Sequence, residues 1–369
     1  MKNVLVVFGG VSVEHDISII TGLGVLNNIS KEYNAVGVYI DKQNNWWTGE
    51  SLKEISTFQP FSTKKLKKCM LLPSGELLIN TIRKKRLFIY SVVNCMHGHN
   101  GEDGALSGLL QMYKIPHTSA SALCGSVCMD KTITKQILSY NKIKVVDYIS
   151  IDKVDYNLNT SGYLKQVEKK IGFPCIVKPN SLGSSIGVNV ANNTQDFCKC
   201  LDIAFSFDQN VLIEKYLQDV KELNIAAFKD ENKIVLSNIE EVCVNKLYEF
   251  NDKYKSKSTK RIVPAKIEND LEKIINNTAT KIYNILKCSG VVRFDFLYSQ
   301  DVLYLNEVNT TPGSLACYLF KNPKIKYNSL ITKLIENSML NYNKQNAFKC
   351  VFESDVLLGL TKDSFKMSK

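Results

Sequence analysis

The stretch Val292–Ser314 reads VRFDFLYSQDVLYLNEVNTTPGS. Arg293 and Asp295 are two residues apart, so on a strand they share one face while Phe294 and Phe296 take the other. Leu305, Glu307 and Asn309 share a face by the same spacing, and the residues near Ser299–Asp301 are polar and turn-like. Folding the two runs into an antiparallel hairpin with Asp295 opposite Glu307 sets Arg293 opposite Asn309. One face then carries an arginine, two carboxylates and an amide, and the other is apolar. Carboxylates and an amide oxygen are hard ligands suited to magnesium held together with phosphate oxygens. The adjacent arginine is placed to meet developing negative charge. A solvent-facing hairpin is the plainer reading, but it leaves three oxygen ligands without a lysine among them in a lysine-rich chain.

The remainder of the chain bounds what this hairpin serves. Its 369 residues, 44% of them hydrophobic, suffice for two or three domains with cores. Net charge is +11, from 47 basic and 36 acidic residues. Only Arg83, Arg86, Arg261 and Arg293 are arginine, and the lysines are scattered except at 64–68, 84–86 and 253–261. A nucleic-acid binder favours clustered arginine. The excess charge is therefore read as solvated surface that attracts an anionic substrate at most, and no nucleic-acid partner is expected. Eleven cysteines spread from Cys69 to Cys350 make no disulfide framework, and no secretory signal opens the chain. Cys124–Cys128 and Cys198–Cys200 lack zinc-site spacing. Reduced thiols in the cytoplasm are expected. No apolar run approaches the ~20 residues that cross a bilayer, so no membrane partner is expected.

Towards the N-terminus, Asn3–Phe8 is a buried parallel strand ending in Gly9-Gly10, a helix runs from near Glu14 through Leu26, and Ala35–Ile40 is the next strand. This order predicts a parallel α/β sheet. The dinucleotide fingerprint is absent, because GGVSVE lacks the third glycine. Glu14 stands at a strand's carboxyl end, where it can hold an ammonium group or simply complement the helix dipole. Residues 41–86 read as irregular and basic. Leu87–Cys95 is another buried strand, running into His97-Gly98-His99-Asn100-Gly101-Glu102-Asp103-Gly104 and a helix, a ligand edge of the same kind. Two histidines two apart in a glycine-rich loop make a poor metal site.

In the middle, helices are expected at Met129–Asn141, entered through Ser126 or Asp130, and at Leu158–Ile171. Pro174–Pro179 is a strand bearing Lys178. It leads into NSLGSSIGV (180–188), a Gly/Ser turn whose N–H groups and hydroxyls can close over phosphates with Lys178 as a point charge, or serve only as a turn. The GxxxxGK[ST] loop is absent. Val211–Glu214, Glu222–Phe228 and Lys233–Ile239 are further strands, and the antiparallel sheet they imply argues for separate domains. Tyr248–Arg261 is a polar stretch of lid character. Glu268–Leu286 is an amphipathic helix feeding the hairpin.

VVFGGVSVEHDIS, HGHNGEDG, MDK, VKPNSLGSSIGV, IEKY, YEFNDKY, RFDF and NEVNTTPGS stand in the order and rough spacing of D-alanine–D-alanine ligases, of the ATP-grasp superfamily, and the chain resembles that family from Val4 to about Pro323. The resemblance implies a three-domain α/β and α+β architecture: a parallel α/β domain over 1–119, then antiparallel-sheet domains over 120–214 and 215–369 that sandwich ATP. It implies that Glu14 resembles the acid for the first D-alanine's ammonium, with His97 and Glu102 nearby. Lys131 and Lys178 resemble the ATP-phosphate lysines, and Lys253 the lysine reaching the γ-phosphate. Glu214, Lys215 and Leu217 resemble the adenine hinge, Glu222 the ribose acid, and Ser184, with Ser185 beside it, and Tyr254 the contacts of a lid at 245–261. Asp295, Glu307 and Asn309 resemble the ligands of two Mg2+ ions, for which Mn2+ can stand in. Arg293 and the Gly313 N–H resemble the oxyanion donors. Many members place a serine five residues past the PG glycine; here that residue is Tyr318, and Ser314 is the substitute from a shifted backbone. Tyr254 implies an amine nucleophile. The expected activity is ligation of two D-alanines through an acyl phosphate for peptidoglycan synthesis, by a cytoplasmic homodimer. Alternatives are another acceptor such as D-serine, a related dipeptide ligase, or a catalytically silent ATP-binding regulator.

Overall fold

The computed structural model describes residues 2–243, 260–322, 324–361 and 364. Its first sheet is built around Val4–Phe8, successive apolar side chains with no measurable exposure. Such a run needs cover on both faces, which a parallel strand between helices receives. β1 (Lys2–Gly9) pairs in parallel with β2 (Tyr33–Ile40) and with β7 (Ser91–Asn94). α1 (His15–Asn28) connects β1 to β2 and lies close against β1. A Cβ on its Gly22 would stand 2.4 Å from the Phe8 ring, so only glycine allows that approach.

The region 41–86 is more ordered than its composition suggests. β3 (Trp46–Thr48), β4 (Lys67–Leu72), β5 (Glu76–Ile79) and β6 (Lys85–Phe88) extend the sheet as an antiparallel meander, in the order β6-β5-β4-β3-β2-β1-β7. These strands are short, and Met70 and Phe88 face outward, so no clean alternation marks them. The expected strand Leu87–Cys95 is two strands on opposite edges of this sheet, parted at Ile89-Tyr90.

α2 (Ala105–Met112) follows the glycine-rich loop as expected. The helix expected over 129–141 is preceded by one that was not: α3 (Ala122–Met129) and α4 (Lys131–Tyr140) meet at Asp130. The Asp130 carboxylate caps α4 by accepting from the Ile133 N–H at 2.8 Å. The second sheet holds β8 (Tyr148–Asp152), β9 (Cys175–Pro179), β10 (Asn189–Ala191) and β11 (Asn210–Lys215), antiparallel in the order β10-β9-β11-β8. α5 (Lys153–Leu158), α6 (Thr160–Lys170) and α7 (Thr194–Phe205) accompany it, and Val167, Phe197 and Leu201 fill its core.

The third sheet holds β12 (Lys221–Asp230), β13 (Lys233–Leu236), β14 (Glu240–Cys243), β15 (Lys260–Ile262), β16 (Val292–Ser299) and β17 (Val302–Asn309). Its core takes Cys124 and Leu138 from α3 and α4, and Ile275, Ala279 and Ile282 from the helix Asn269–Ile285. The helix Tyr327–Asn346 returns to the first sheet, packing Leu330, Ile331 and Leu334 into the core that holds Val4 and Phe8. All eleven cysteines are unbridged. No helix among the described residues is long and apolar enough to cross a membrane.

β16 and β17 pair in the expected register, with Arg293 opposite Asn309 and Asp295 opposite Glu307. A β-bulge then follows: Phe296 pairs with Leu305, leaving Asn306 as the extra residue. The bulge corrects one expectation. Leu305 does not share the face of Glu307 and Asn309; it turns into the core with Phe294, Phe296 and Val308. Removing the fully buried Phe294 side chain by Phe294→Ala should destabilise the protein by about 3–5 kcal/mol; urea denaturation showing a loss under 1 kcal/mol would contradict the core placement.

Candidate active site

The bulged hairpin orients its polar face by charge. The Arg293 guanidinium donates from Nε to Asp295 Oδ1 at 2.6 Å and from Nη2 to Oδ2 at 2.7 Å. Such a forked pair fixes the guanidinium plane as well as its position. Asn309 Nδ2 donates to Asp295 Oδ2 at 3.0 Å. Burial raises the Asp295 carboxyl, Arg293 opposes, and the charges of Glu307 and Glu222 push further, leaving it at about 6. The charges of Glu307 and Glu222 thus act on Asp295 along with that of Arg293, an electrostatic setting that favours an added cation. Among the described residues no group of three or more His, Cys, Asp or Glu side chains is placed to hold a metal ion. Asp295, Glu307 and the Asn309 amide oxygen form a donor set of hard oxygens only. That set fits magnesium, which keeps further positions for waters and phosphate oxygens.

Opposite stands Glu14, the residue before α1, where the Gly9-Gly10 turn delivers it. Ser184 Oγ donates to Glu14 Oε1. Two glycines make room for this carboxylate: a Cβ on Gly98 would lie 2.7 Å from Oε2, and one on Gly183 would lie 3.1 Å from Oε1. Burial raises the Glu14 carboxyl, the Ser184 bond lowers it, Glu307 raises it, and Lys131 and Arg293 lower it; the net direction is upward.

His97 and Glu102 brace the walls. Glu102 accepts from the Gly98 N–H at 2.9 Å and from the Thr311 N–H at 2.8 Å, so both its oxygens tie loops together. Burial and then the Glu14 charge push it up to about 8, against those N–H groups and Arg293. His97 Nε2 lies 2.9 Å from Thr21 Oγ1, which also accepts the Ser314 N–H at 3.2 Å. Burial, with Arg293 nearby, holds His97 down at about 4, so the ring is neutral at pH 7. Ser314, Leu315 and Ala316 then take a left-handed backbone in succession, with φ of 50°, 51° and 50°. For non-glycine residues this costs roughly 1–2 kcal/mol each, which the surrounding packing must offset.

These groups enclose a cavity of about 230 Å³. Glu14, Ser184, Glu222, Arg293, Glu307, Asn309, Gly313, Ser314 and Tyr318 all reach it, as do His97 and Glu102. Beside it lies a second charged cluster. Glu214, buried at the end of β11, pairs through Oε1 with Lys135 at 2.6 Å and through Oε2 with Lys178 at 2.7 Å. Burial opposes its ionisation, but the Lys135 and Lys178 charges outweigh it and bring Glu214 down to about 2. Lys131 Nζ donates to the Leu182 carbonyl inside the Gly/Ser turn. Ser184 and Ser185 hold that turn with φ of 55° and 57°. Lys215 ends β11 with its N–H on the Asp147 carbonyl at 3.0 Å, and Leu217 lies two residues beyond. Lys253 and Tyr254 lie outside the described residues, as does most of the expected lid; Lys260 and Arg261 of that stretch form part of β15.

Several residues here had no earlier reading. Lys135 was visible only as a lysine one helical turn after Lys131. Asn306 accepts from Lys178 Nζ at 3.2 Å, a contact made by the bulge. Glu240, with no exposure, meets Arg261 at 3.2 Å and the Tyr318 hydroxyl at 3.4 Å, and Asn224 at 3.4 Å. Tyr318, at the position where many members of the resembled family carry a serine, is thus tied into the wall.

Two family models match the chain: "D-ala D-ala ligase N-terminus" over residues 3–120 and "D-ala D-ala ligase C-terminus" over residues 137–336. The D-alanine–D-alanine ligase of Thermosipho africanus is 38% identical over 345 residues, covering 91% of this chain and 92% of that protein. That of Clostridium acetobutylicum is 32% identical over 347 residues, covering 91% and 97%. Among solved structures, D-alanine–D-alanine ligase from Helicobacter pylori aligns with a TM-score of 0.75 at 30% identity, over 91% of this chain and 98% of that one. The VanG D-Ala:D-Ser ligase from Enterococcus faecalis aligns with a TM-score of 0.80 at 26% identity, over 91% and 99%.

The position of His97 has a consequence for acid stability. Its folded pKa of about 4 lies below the unfolded value of 6.5, so its contribution is full above pH 6.5 and is lost as pH falls towards 4. His97→Gln, which cannot take up that proton, should lose about 2–3 kcal/mol less than the wild type between pH 7 and pH 4. Paired urea titrations at the two pH values measure the difference, and equal losses would reject a buried neutral ring.

Proposed function

Because the chain belongs to the D-alanine–D-alanine ligase family and is an enzyme that joins two D-alanines at the expense of ATP for cell wall synthesis, we propose that its two charged clusters divide that reaction between them. The observation that carries this reading is the meeting of Arg293, Glu307 and Asn309 with Glu14 and Ser184 around one cavity. In this reading Glu14 receives the first D-alanine's ammonium group, held by Ser184, while His97 and Glu102 keep its loop in place. Lys131, Lys178 and Lys253 offset the triphosphate charge, and the Ser184-Ser185 turn covers it. Glu214, Lys215 and Leu217 receive the adenine, and Glu222 the ribose. Asp295, Glu307 and Asn309 hold two magnesium ions, or manganese in their place. When bound, the metal neutralises the charge on the transferring phosphate.

The first D-alanine's carboxylate attacks the γ-phosphorus, giving an acyl phosphate and ADP. The free amine of the second D-alanine then attacks the acyl carbon. The oxygen that becomes negative is met by Arg293 and the Gly313 N–H, and the intermediate expels phosphate. Asp295 supports this role, since a guanidinium already fixed in orientation needs no reorganisation when charge develops. Ser314 and Tyr318 bound the second substrate. Tyr254 and the 245–261 segment close the site against water, which would otherwise hydrolyse the acyl phosphate. Domain limits near 119 and 214, a homodimer and a cytoplasmic setting belong to the same reading. The relatives' names do not favour a silent regulator or a D-serine acceptor.

Incubation with ATP, magnesium and D-alanine alone tests the assignment: the product mass should be that of the D-alanine dipeptide, with one ADP per bond. Glu307→Gln should abolish ligation with an unchanged circular-dichroism spectrum, and undiminished turnover would remove the metal role. Arg293→Met should lower kcat by roughly 10²–10³-fold, as the loss of one oxyanion donor does.

A further inference from the structure

Lys135 has no part in the scheme so far, although it is among the largest fully buried side chains, 1% exposed. It occupies α4 one turn after Lys131 and reaches Glu214 Oε1 at 2.6 Å, with its Nζ 5.6 Å from the centre of the Tyr148 ring. Lys178 takes the other oxygen of the same carboxylate at 2.7 Å, and its next acceptor is Asn306 Oδ1 at 3.2 Å. One buried carboxylate thus holds two ammonium groups, and they differ in where they can go. Lys178 lies on β9, where the strand enters the Gly/Ser turn, and its second acceptor belongs to the catalytic hairpin. Lys135 is enclosed between α4, Glu214 and the Tyr148 ring.

We propose that Lys135 is a positioning residue: the permanent counter-ion of Glu214, whose presence frees Lys178 to exchange that carboxylate for the nucleotide's phosphates. The argument rests on the phosphate role of Lys178 and the adenine role of Glu214. A carboxylate cut off from water cannot surrender its only positive partner without a large penalty. With Lys135 in place, Lys178 departs and Glu214 stays paired. Without Lys135, Glu214 captures Lys178 and the phosphate site loses a charge, whereas the adenine site keeps an ionised, paired acid.

The test is a double-mutant cycle on the full-length protein, read as KM for ATP, KM for D-alanine and inhibition by adenosine. Lys135→Met should raise KM for ATP by about tenfold or more, while adenosine inhibition and KM for D-alanine move less than about twofold. In a Glu214→Gln background, where no carboxylate remains to capture Lys178, adding Lys135→Met should change KM for ATP by less than about twofold. Equal effects of Lys135→Met in both backgrounds, or an equal effect on adenosine, would overturn the proposal. Should Lys135→Met alone fail to fold, the comparison within the Glu214→Gln background decides, because that pair leaves no buried acid unmatched. Absence of ADP release from the wild type with D-alanine defeats the underlying reading instead, whereas normal wild-type turnover with an additive cycle defeats only the role of Lys135.

Discussion

A carboxylate taken out of water needs matching charge or N–H donors, and the centre of this molecule is arranged around acids matched in different ways. Asp295 has the forked guanidinium of Arg293. Glu214 has two lysines. Glu102 has two backbone N–H groups from separate loops. Glu240 has Arg261. Among the described residues, Glu14 has the Ser184 hydroxyl as its hydrogen-bond partner, and burial raises its carboxyl against that bond and the Lys131 and Arg293 charges. Of these five acids, the one met by a hydroxyl rather than by a full positive charge or paired N–H groups among the described residues is the one proposed to receive a substrate's ammonium group.

These pairings also join parts of the chain that are distant in sequence. Ser184 of the Gly/Ser turn meets Glu14 beside the first sheet, and Glu102 holds Thr311 next to the catalytic hairpin. Lys178 on the second sheet reaches Asn306 on the third. The apolar cores behave likewise: the helix Tyr327–Asn346 packs under β1, and α3 and α4 pack under β12 and β16. A site at such a junction needs every sheet in place before its geometry exists.

Much of this was legible beforehand. The hairpin register followed from the two-residue period of a strand, and Asp295 does face Glu307. β1 was readable because five adjacent apolar residues leave few options; α4 was readable as a helix entered through Ser126 or Asp130, and of the two it is Asp130 that caps it. The strands between 46 and 88 were not, since short edge strands with outward Met70 and Phe88 carry no alternation. The face of Leu305 was misread because a bulge of one residue inverts every side chain beyond it, and nothing in YLNEV marks it.

By itself, then, the sequence determined which residue types the site would hold and that Arg293, Asp295, Glu307 and Asn309 would share one face. Those are consequences of local periodicity and side-chain chemistry. Only the tertiary structure decided that Lys135 and Lys178 would share Glu214, that Asn306 would bulge toward Lys178, and that Tyr318 would lock onto Arg261 and Glu240. Each of these depends on side chains far apart in the chain meeting in a space with little water. Coulomb attraction and close packing select such partners there, and neither leaves a periodic trace in the sequence.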